Sequence, residues 1–160
     1  MTILPADPEH VEEIARLAGI VWRAHYPGII SHEQIEYMLA KMYDLEVLRQ
    51  ELANGVAYLR ALEGEQLLGF AAYGPAGKEI KLYKLYVHPE HQGRGFGRSL
   101  MDRVEQASGG QTLVLTVNKR NEKAIRAYQK HGFVIRESVV VDIGGGFVMD
   151  DYVMEKRPKG

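Results

Sequence analysis

The chain has 160 residues, 46% of them hydrophobic and 26% charged, with a formal net charge of −1 and no cysteine. That length suits a single domain, residues 1–160, able to bury most of the surface its unfolded form exposes. The even charge gives no field to draw nucleic acid or anionic lipid, and the missing thiols exclude disulfides, cysteine nucleophiles and cysteine-ligated zinc. No apolar run nears the ~20 residues of a membrane span, and Met1-Thr2-Ile3-Leu4-Pro5 lacks a leader pattern. The expectation is a soluble cytoplasmic protein.

In chain order, Thr2-Ile3-Leu4 reads as a short strand. Asp7 is placed to cap a helix with Pro8 at its first position, and Val11, Ile14, Leu17, Ala18, Val21 and Trp22 form its apolar stripe. Pro27-Gly28 ends it. Ser31-His32-Glu33-Gln34 predicts a capping box for a helix carrying Ile35, Met38, Leu39 and Met42. Asp44 caps a third, with Leu45, Leu48 and Leu52, closed by Asn54-Gly55. Val56–Leu62 and Leu67–Tyr73 read as a hairpin around Glu63-Gly64-Glu65-Gln66, and Glu79–Val87 as the next strand, stopped by His88-Pro89. A glycine-rich turn and a helix follow, then a strand over Thr112–Val117, a helix from Asn121, and two strands near 133–142 and 147–156 around Gly144-Gly145-Gly146. Irregular alternation of strands and helices predicts an α/β fold with a mixed sheet.

The most informative stretch is Gln92-Gly93-Arg94-Gly95-Phe96-Gly97-Arg98-Ser99. It follows the apolar Leu85-Tyr86-Val87 and opens a helix marked by Phe96, Leu100, Val104 and Ala107. A strand, a glycine turn and a helix start make a site for a phosphate, because glycine permits positive φ and the first helical N–H groups lack partners. The spacing is neither the G-x-G-x-x-G of dinucleotide sites nor a P-loop.

Gln92-x-x-Gly95-x-Gly97 resembles the Gln/Arg-x-x-Gly-x-Gly/Ala motif of the GCN5-related N-acetyltransferases. Asn121, Ala124, Tyr128, Gly132 and Phe133 resemble that family's second motif, Asn-x-x-Ala-x-x-x-Tyr-x-x-x-Gly-Phe. The two occur in the family's order, and the resemblance spans about residues 80 to 133. It implies a mixed central sheet flanked by helices, with a splay between the fourth and fifth strands into which the pantetheine arm of acetyl-coenzyme A enters. It also implies that acetyl-CoA is the co-substrate, with no metal required.

The implied reaction is attack of an amine on the acetyl thioester, with coenzyme A leaving. By this resemblance the backbone of Leu85, Tyr86 and Val87 pairs with pantetheine, and an N–H there polarises the thioester carbonyl. Gln92, Gly93, Arg94, Gly95, Phe96, Gly97, Arg98 and Ser99 form the pyrophosphate turn. Arg94 and Arg98 either contact phosphate oxygens or are solvated cations. Asn121 either hydrogen-bonds the pantetheine arm or only caps its helix. Tyr128 is the candidate acid: an unperturbed tyrosine keeps its proton to about pH 10 and can donate to the departing thiolate. At 100° per residue, Asn121, Ala124, Ile125 and Tyr128 share one side of their helix, and Lys123, Arg126 and Lys130 the other.

A base is harder to name. A lysine-like amine with a pKa near 10.4 is only about one part in 2,500 neutral at pH 7, a penalty near ~4.6 kcal/mol. Many members of the family place a glutamate two residues before the Leu85 position, and here that residue is Tyr83. Glu79, Glu33 and His25 remain as candidates. Asp142, Asp150 and Asp151 either attract a cationic amine or are turn and edge-strand charges. The segment Gly146–Tyr152 resembles one in bacterial polyamine-acetylating members. Trp22, His25 and Tyr26 fall where the family forms its acceptor rim, although aromatics at helical spacing also suit a core. His88-Pro89-Glu90-His91 has no third ligand nearby and does not make a metal site.

The reading is thus an acetyl-CoA-dependent N-acetyltransferase acting on a primary amine of a small molecule or peptide. The alternative is a coenzyme A-binding regulatory or interaction module without turnover. A toxin that acetylates aminoacyl-tRNA is disfavoured by the lack of a basic surface. A homodimer through the late strands is implied by the family alone.

Overall fold

The computed structural model describes residues 1–158. Seven strands form one sheet in the order β1-β2-β3-β4-β5-β7-β6. They are β1 (Thr2–Pro5), β2 (Ala57–Glu63), β3 (Gln66–Ala76), β4 (Glu79–Val87), β5 (Leu113–Asn118), β6 (Val134–Gly144) and β7 (Phe147–Lys156). Helices α1 (Val11–His25), α2 (His32–Met42) and α3 (Leu45–Ala53) precede the first hairpin, and α4 (Phe96–Ser108) and α5 (Glu122–Lys130) bracket β5 along the chain. Among the described residues no helix is long and apolar enough to cross a membrane.

Every neighbouring pair in the sheet is antiparallel except β4 and β5. Those two pair in parallel only at Ile80 with Leu113 and Lys81 with Val114, and then separate. The expected mixed sheet with its splay is therefore present. A bulge lies beside the separation: Ala72 opposes Lys84 and Tyr73 opposes Leu82, which leaves Tyr83 as the extra residue. The bulge reverses the alternation of β4. Ile80 and Leu82 pack on the α4 face, whereas Tyr86 joins the core under α1.

Each face of the sheet buries its own core. Val11, Ile14, Val21 and Trp22 of α1 meet Ile35, Met38 and Leu48 on one side. Phe96, Leu100, Met101 and Val104 of α4 meet Leu82, Leu115, Phe133 and Met154 on the other. The stripes expected of α1 and α4 are the faces that are buried.

Local chemistry shifts some boundaries. Pro8–His10 form a 3-10 turn and not the first turn of α1. The backbone N–H of Asp7 donates to His10 Nδ1 (2.9 Å), and His10 N–H donates to Asp7 O (2.9 Å). These short-range bonds delay α-helical geometry until Val11. Ser31 Oγ accepts from Gln34 N–H (3.1 Å), but Gln34 does not complete the expected capping box. Its side chain is buried and donates to Val148 O (3.1 Å), tying α2 to β7. Asp44 caps α3 as expected, accepting from the N–H groups of Glu46 and Val47.

Leu100 fixes α4 against the sheet. It packs over Gly69 of β3, where a Cβ would stand 3.3 Å from Leu100 Cδ1 and 3.0 Å from Tyr86 O. Leu100→Ala should leave a cavity there and cost about 2–5 kcal/mol, read as a lower urea midpoint at unchanged m-value.

Candidate active site

The splay opens into a cavity of about 700 Å³, within the range of small-molecule sites. One wall is β4 from Leu82 to Val87, and the opposite wall is β5 from Leu115 to Asn118 with α5 beyond it. Trp22, His25 and Tyr26, at the end of α1, close a third side. Because β4 and β5 stop pairing at Lys81 and Val114, the backbone of β4 beyond that point has N–H and C=O groups free to receive another extended chain.

At one end of the cavity lies the glycine turn. Gly93 (φ +80°) and Gly95 (φ +89°) hold left-handed backbone that a side chain would strain. Gly95 is the N-cap of α4, and the N–H of Ser99 is the first to reach a helical acceptor, Gly95 O at 3.0 Å. The preceding amides, Phe96 to Arg98, keep the unpaired N–H groups and the positive end of the helix dipole for an anion.

The residues singled out from the sequence are distributed around this space. Leu85, Tyr86, Val87, Gln92, Gly93, Gly95, Phe96, Gly97, Arg98, Asn121 and Tyr128 all line the cavity, and Arg94 and Ser99 do not. Arg94 instead hydrogen-bonds Glu63 and His91 Nδ1 and lies over the Phe96 ring. Asn121 caps α5, its Oδ1 accepting from Ala124 N–H (3.3 Å) and from His25 Nε2 (3.0 Å). Since that oxygen only accepts, His25 must carry its hydrogen on Nε2. The division of α5 into a cofactor side and a wet side is less clean than helical spacing implies. Lys123 and Lys130 reach the cavity rim, and Lys123 Nζ crosses to Gln92 Oε1 at 2.6 Å.

Tyr128 is half-buried against Phe133, and burial raises its pKa above the usual tyrosine value. Its phenol therefore holds its proton throughout the neutral range. Tyr26 and Tyr86 share a hydroxyl–hydroxyl hydrogen bond of 3.1 Å beside Trp22, and burial raises both of their pKa values. Buried Lys84 gives its charge to Glu51 (3.2 Å), to the Tyr58 hydroxyl and to the Tyr43 ring, so its ammonium is already committed.

The base candidates separate clearly in position. Glu79 is paired with Arg136 at 2.9 Å, and Glu33 is exposed on α2; neither lines the cavity. His25 does line it. A group not among those three stands out. Asp151 of β7 is 5% exposed and lines the cavity, and its Oδ1 is buried without a hydrogen-bond partner. Burial, and then the charge of Asp150, push its pKa up to about 6, while Lys81 and Lys119 pull it back. The sequence carried a usable signal, since Met149, Asp151 and Val153 alternate onto one face of a strand.

Comparison with known proteins decides the family. The pattern of the acetyltransferase (GNAT) family matches residues 11–133, well over half of the chain. The chain belongs to the GNAT family, and it is an N-acetyltransferase. The GNAT chain is 26% identical over 157 residues to a spermidine N(1)-acetyltransferase of Thermoplasma acidophilum, covering 93% of this chain and 92% of that one. It is 31% identical over 155 residues to an uncharacterised N-acetyltransferase of Mycobacterium tuberculosis, covering 91% and 96%. Among solved structures it is similar to the PaiA N-acetyltransferase of T. acidophilum in complex with coenzyme A. That likeness has a TM-score of 0.82 at 26% identity and covers 98% of this chain and 99% of the other.

An unpaired buried carboxylate in this GNAT cavity has a thermodynamic consequence. The folded pKa of Asp151, about 6, lies above the ordinary 3.8, so the folded state binds the proton more tightly than the unfolded one. The benefit is complete below pH 3.8 and is lost as the pH rises through 6, which corresponds to a cost of about 2–3 kcal/mol at pH 8. Asp151→Asn, which removes the charge, should therefore raise unfolding stability at pH 8 by roughly that amount. In paired urea titrations the gain should shrink to nearly nothing at pH 4.

Proposed function

We propose that the protein transfers the acetyl group of acetyl-CoA to a primary amine, polyamine-like or at a peptide terminus, by direct attack on the thioester. The observation that carries this reading is the splay, which opens onto a glycine turn whose amides are unpaired. Pantetheine would add to β4 as an extra strand along Leu85–Val87. The pyrophosphate would sit on the amides of Gln92 to Arg98, with Lys123 near enough to exchange Gln92 for a phosphate oxygen. A β4 N–H aimed at the thioester oxygen would stabilise the developing oxyanion, an effect typically worth about 10²–10³ in rate.

Tyr128 serves as the acid. Its phenol remains protonated, and its place beside the cavity supports donation to the coenzyme A sulfur as the C–S bond breaks. A thiolate is already a fair leaving group, so this donation assists the step without being indispensable. The two glycine and tyrosine motifs fall within one N-acetyltransferase domain. Both reactants are charged, water-borne molecules, which fits a cytoplasmic reaction.

The late strands support a homodimer. β6 is an edge strand whose Val134, Val140 and Val141 are exposed, and pairing along it would cover both the free backbone edge and the apolar side chains.

The test is release of free thiol from acetyl-CoA in the presence of spermidine, 1,4-diaminobutane and short peptides with free amino termini. Acetylation of at least one is expected. Tight coenzyme A binding with no release for any amine would favour the module without turnover. Tyr128→Phe should lower kcat by about 10- to 100-fold while leaving coenzyme A affinity by calorimetry within about twofold. An unchanged kcat removes the acid role.

A further inference from the structure

The reaction needs a group to take a proton from an ammonium, and Tyr83 stands at the β4 position where many members of the family carry a glutamate. Three aspartates lie on the last two strands. Asp142 Oδ1 accepts from Gly144 N–H at 2.8 Å, and Asp150 Oδ1 is held by Lys119 Nζ at 2.8 Å. Asp151 is different: it is buried and lines the cavity, and its Oδ1 has no donor among the described residues.

A carboxylate that is desolvated and left unpaired is costly. Its place in the fold explains how it stays there. Asp151 faces Asn118 across the β5–β7 ladder, at the end of β5 that the splay exposes. The adjoining wall is aromatic, made by Trp22, Tyr26 and Tyr86. An aromatic wall with one carboxylate suits an alkylammonium group, because ring faces attract a cation and the carboxylate fixes its position.

We infer that Asp151 binds the acceptor amine as its ammonium and is the base that removes its proton. The inference rests on the transferase reading above and adds the acceptor subsite to it. The carboxylate takes one proton from R–NH3+, giving R–NH2 and the neutral acid. The nitrogen lone pair then forms the N–C bond at the thioester carbonyl. As the carbonyl re-forms, the C–S bond breaks and its electron pair leaves on sulfur. Tyr128 gives its proton to that sulfur and recovers one from the acetylated nitrogen. Asp151 later returns its proton to solvent, so acetyl-CoA and R–NH3+ become R–NH–acetyl, coenzyme A and one proton.

The neighbours set the pH at which this group is ready. Asp150 on its own strand opposes ionisation, and Lys81 of β4 and Lys119 after β5 favour it. Tyr26, just after α1, lies close enough for the Asp151 charge to act on it, and His25, the last residue of that helix, lines the cavity. Val139, opposite on β6, carries no charge. The carboxyl titrates at about pH 6, so kcat/KM should rise through that pH and fall again as the amine loses its own proton, at about pH 10 for a polyamine and about pH 8 for a peptide terminus.

The experiment compares wild type with Asp151→Asn, with spermidine and a tetrapeptide as acceptors. The expected result is a fall of at least 100-fold in kcat/KM for both, loss of the limb near pH 6, and coenzyme A affinity within threefold of wild type. On the preformed coenzyme A complex, calorimetric affinity for spermidine should drop at least tenfold. A variant within threefold of wild type that keeps its acid limb overturns the inference and leaves the transferase reading intact. No thiol release from wild type with any amine instead sinks the transferase reading and the base role with it. The spermidine heats then decide the ammonium site: equal heats for the two proteins overturn it, and loss of heat in Asp151→Asn supports it.

Discussion

Two residue pairs, Ile80 with Leu113 and Lys81 with Val114, are all that pair β4 with β5, and the cavity depends on how little that is. A sheet that zipped completely would satisfy its own backbone and leave nothing for a ligand to bind. Here the bulge at Tyr83 turns β4 away just beyond the joined residues, and α1 and α5 hold the gap from either end through the His25–Asn121 hydrogen bond. The unpaired backbone is tolerable because it faces an open cavity where water or another extended chain can satisfy it.

The same cavity gathers groups whose protonation states differ. Phenols under the aromatic wall are pushed towards the neutral form by burial, whereas a single aspartate is kept ionisable near neutrality. Positive charge is treated differently. Lys84, on the β4 wall, is paired with Glu51, and Lys119 with Asp150. Asp151 on the β7 side of the cavity thus keeps a carboxylate oxygen with no hydrogen-bond donor, with Lys81 and Lys119 acting on it only through their charge. The turn at the start of α4 offers unanswered positive dipole. On the reading proposed above, a cationic amine and an anionic cofactor would be drawn to opposite ends of one space.

Much of this was legible in the chain. Two motifs in order named the family, the alternation of apolar residues placed the strands, and the stripe in α1 marked its buried side. Asn121 read equally well as cap or ligand, and its hydrogen bonds show that the cap role is filled. Alternation with Met149 and Val153 sets Asp151 on the opposite face from Asp150, but it does not say which of the two faces meets the cavity. Their fates diverge only because β7 pairs with β5 in the register that turns Asp151 inward and leaves Asp150 to Lys119.

The sequence alone determined what is local: the glycines that permit left-handed backbone at 93 and 95, the caps at Ser31 and Asp44, and the periodicity that marks the buried faces of α1 and α4. These follow from steric limits and hydrogen bonds that span a few residues. Only the tertiary structure decided where β4 and β5 part, which lysines pair with a carboxylate, and which carboxylate is left without a donor. Those outcomes depend on strand register and on groups far apart in sequence, such as Lys84 with Glu51 or Gln34 with Val148. No local pattern encodes a neighbour that the chain meets only after it has folded.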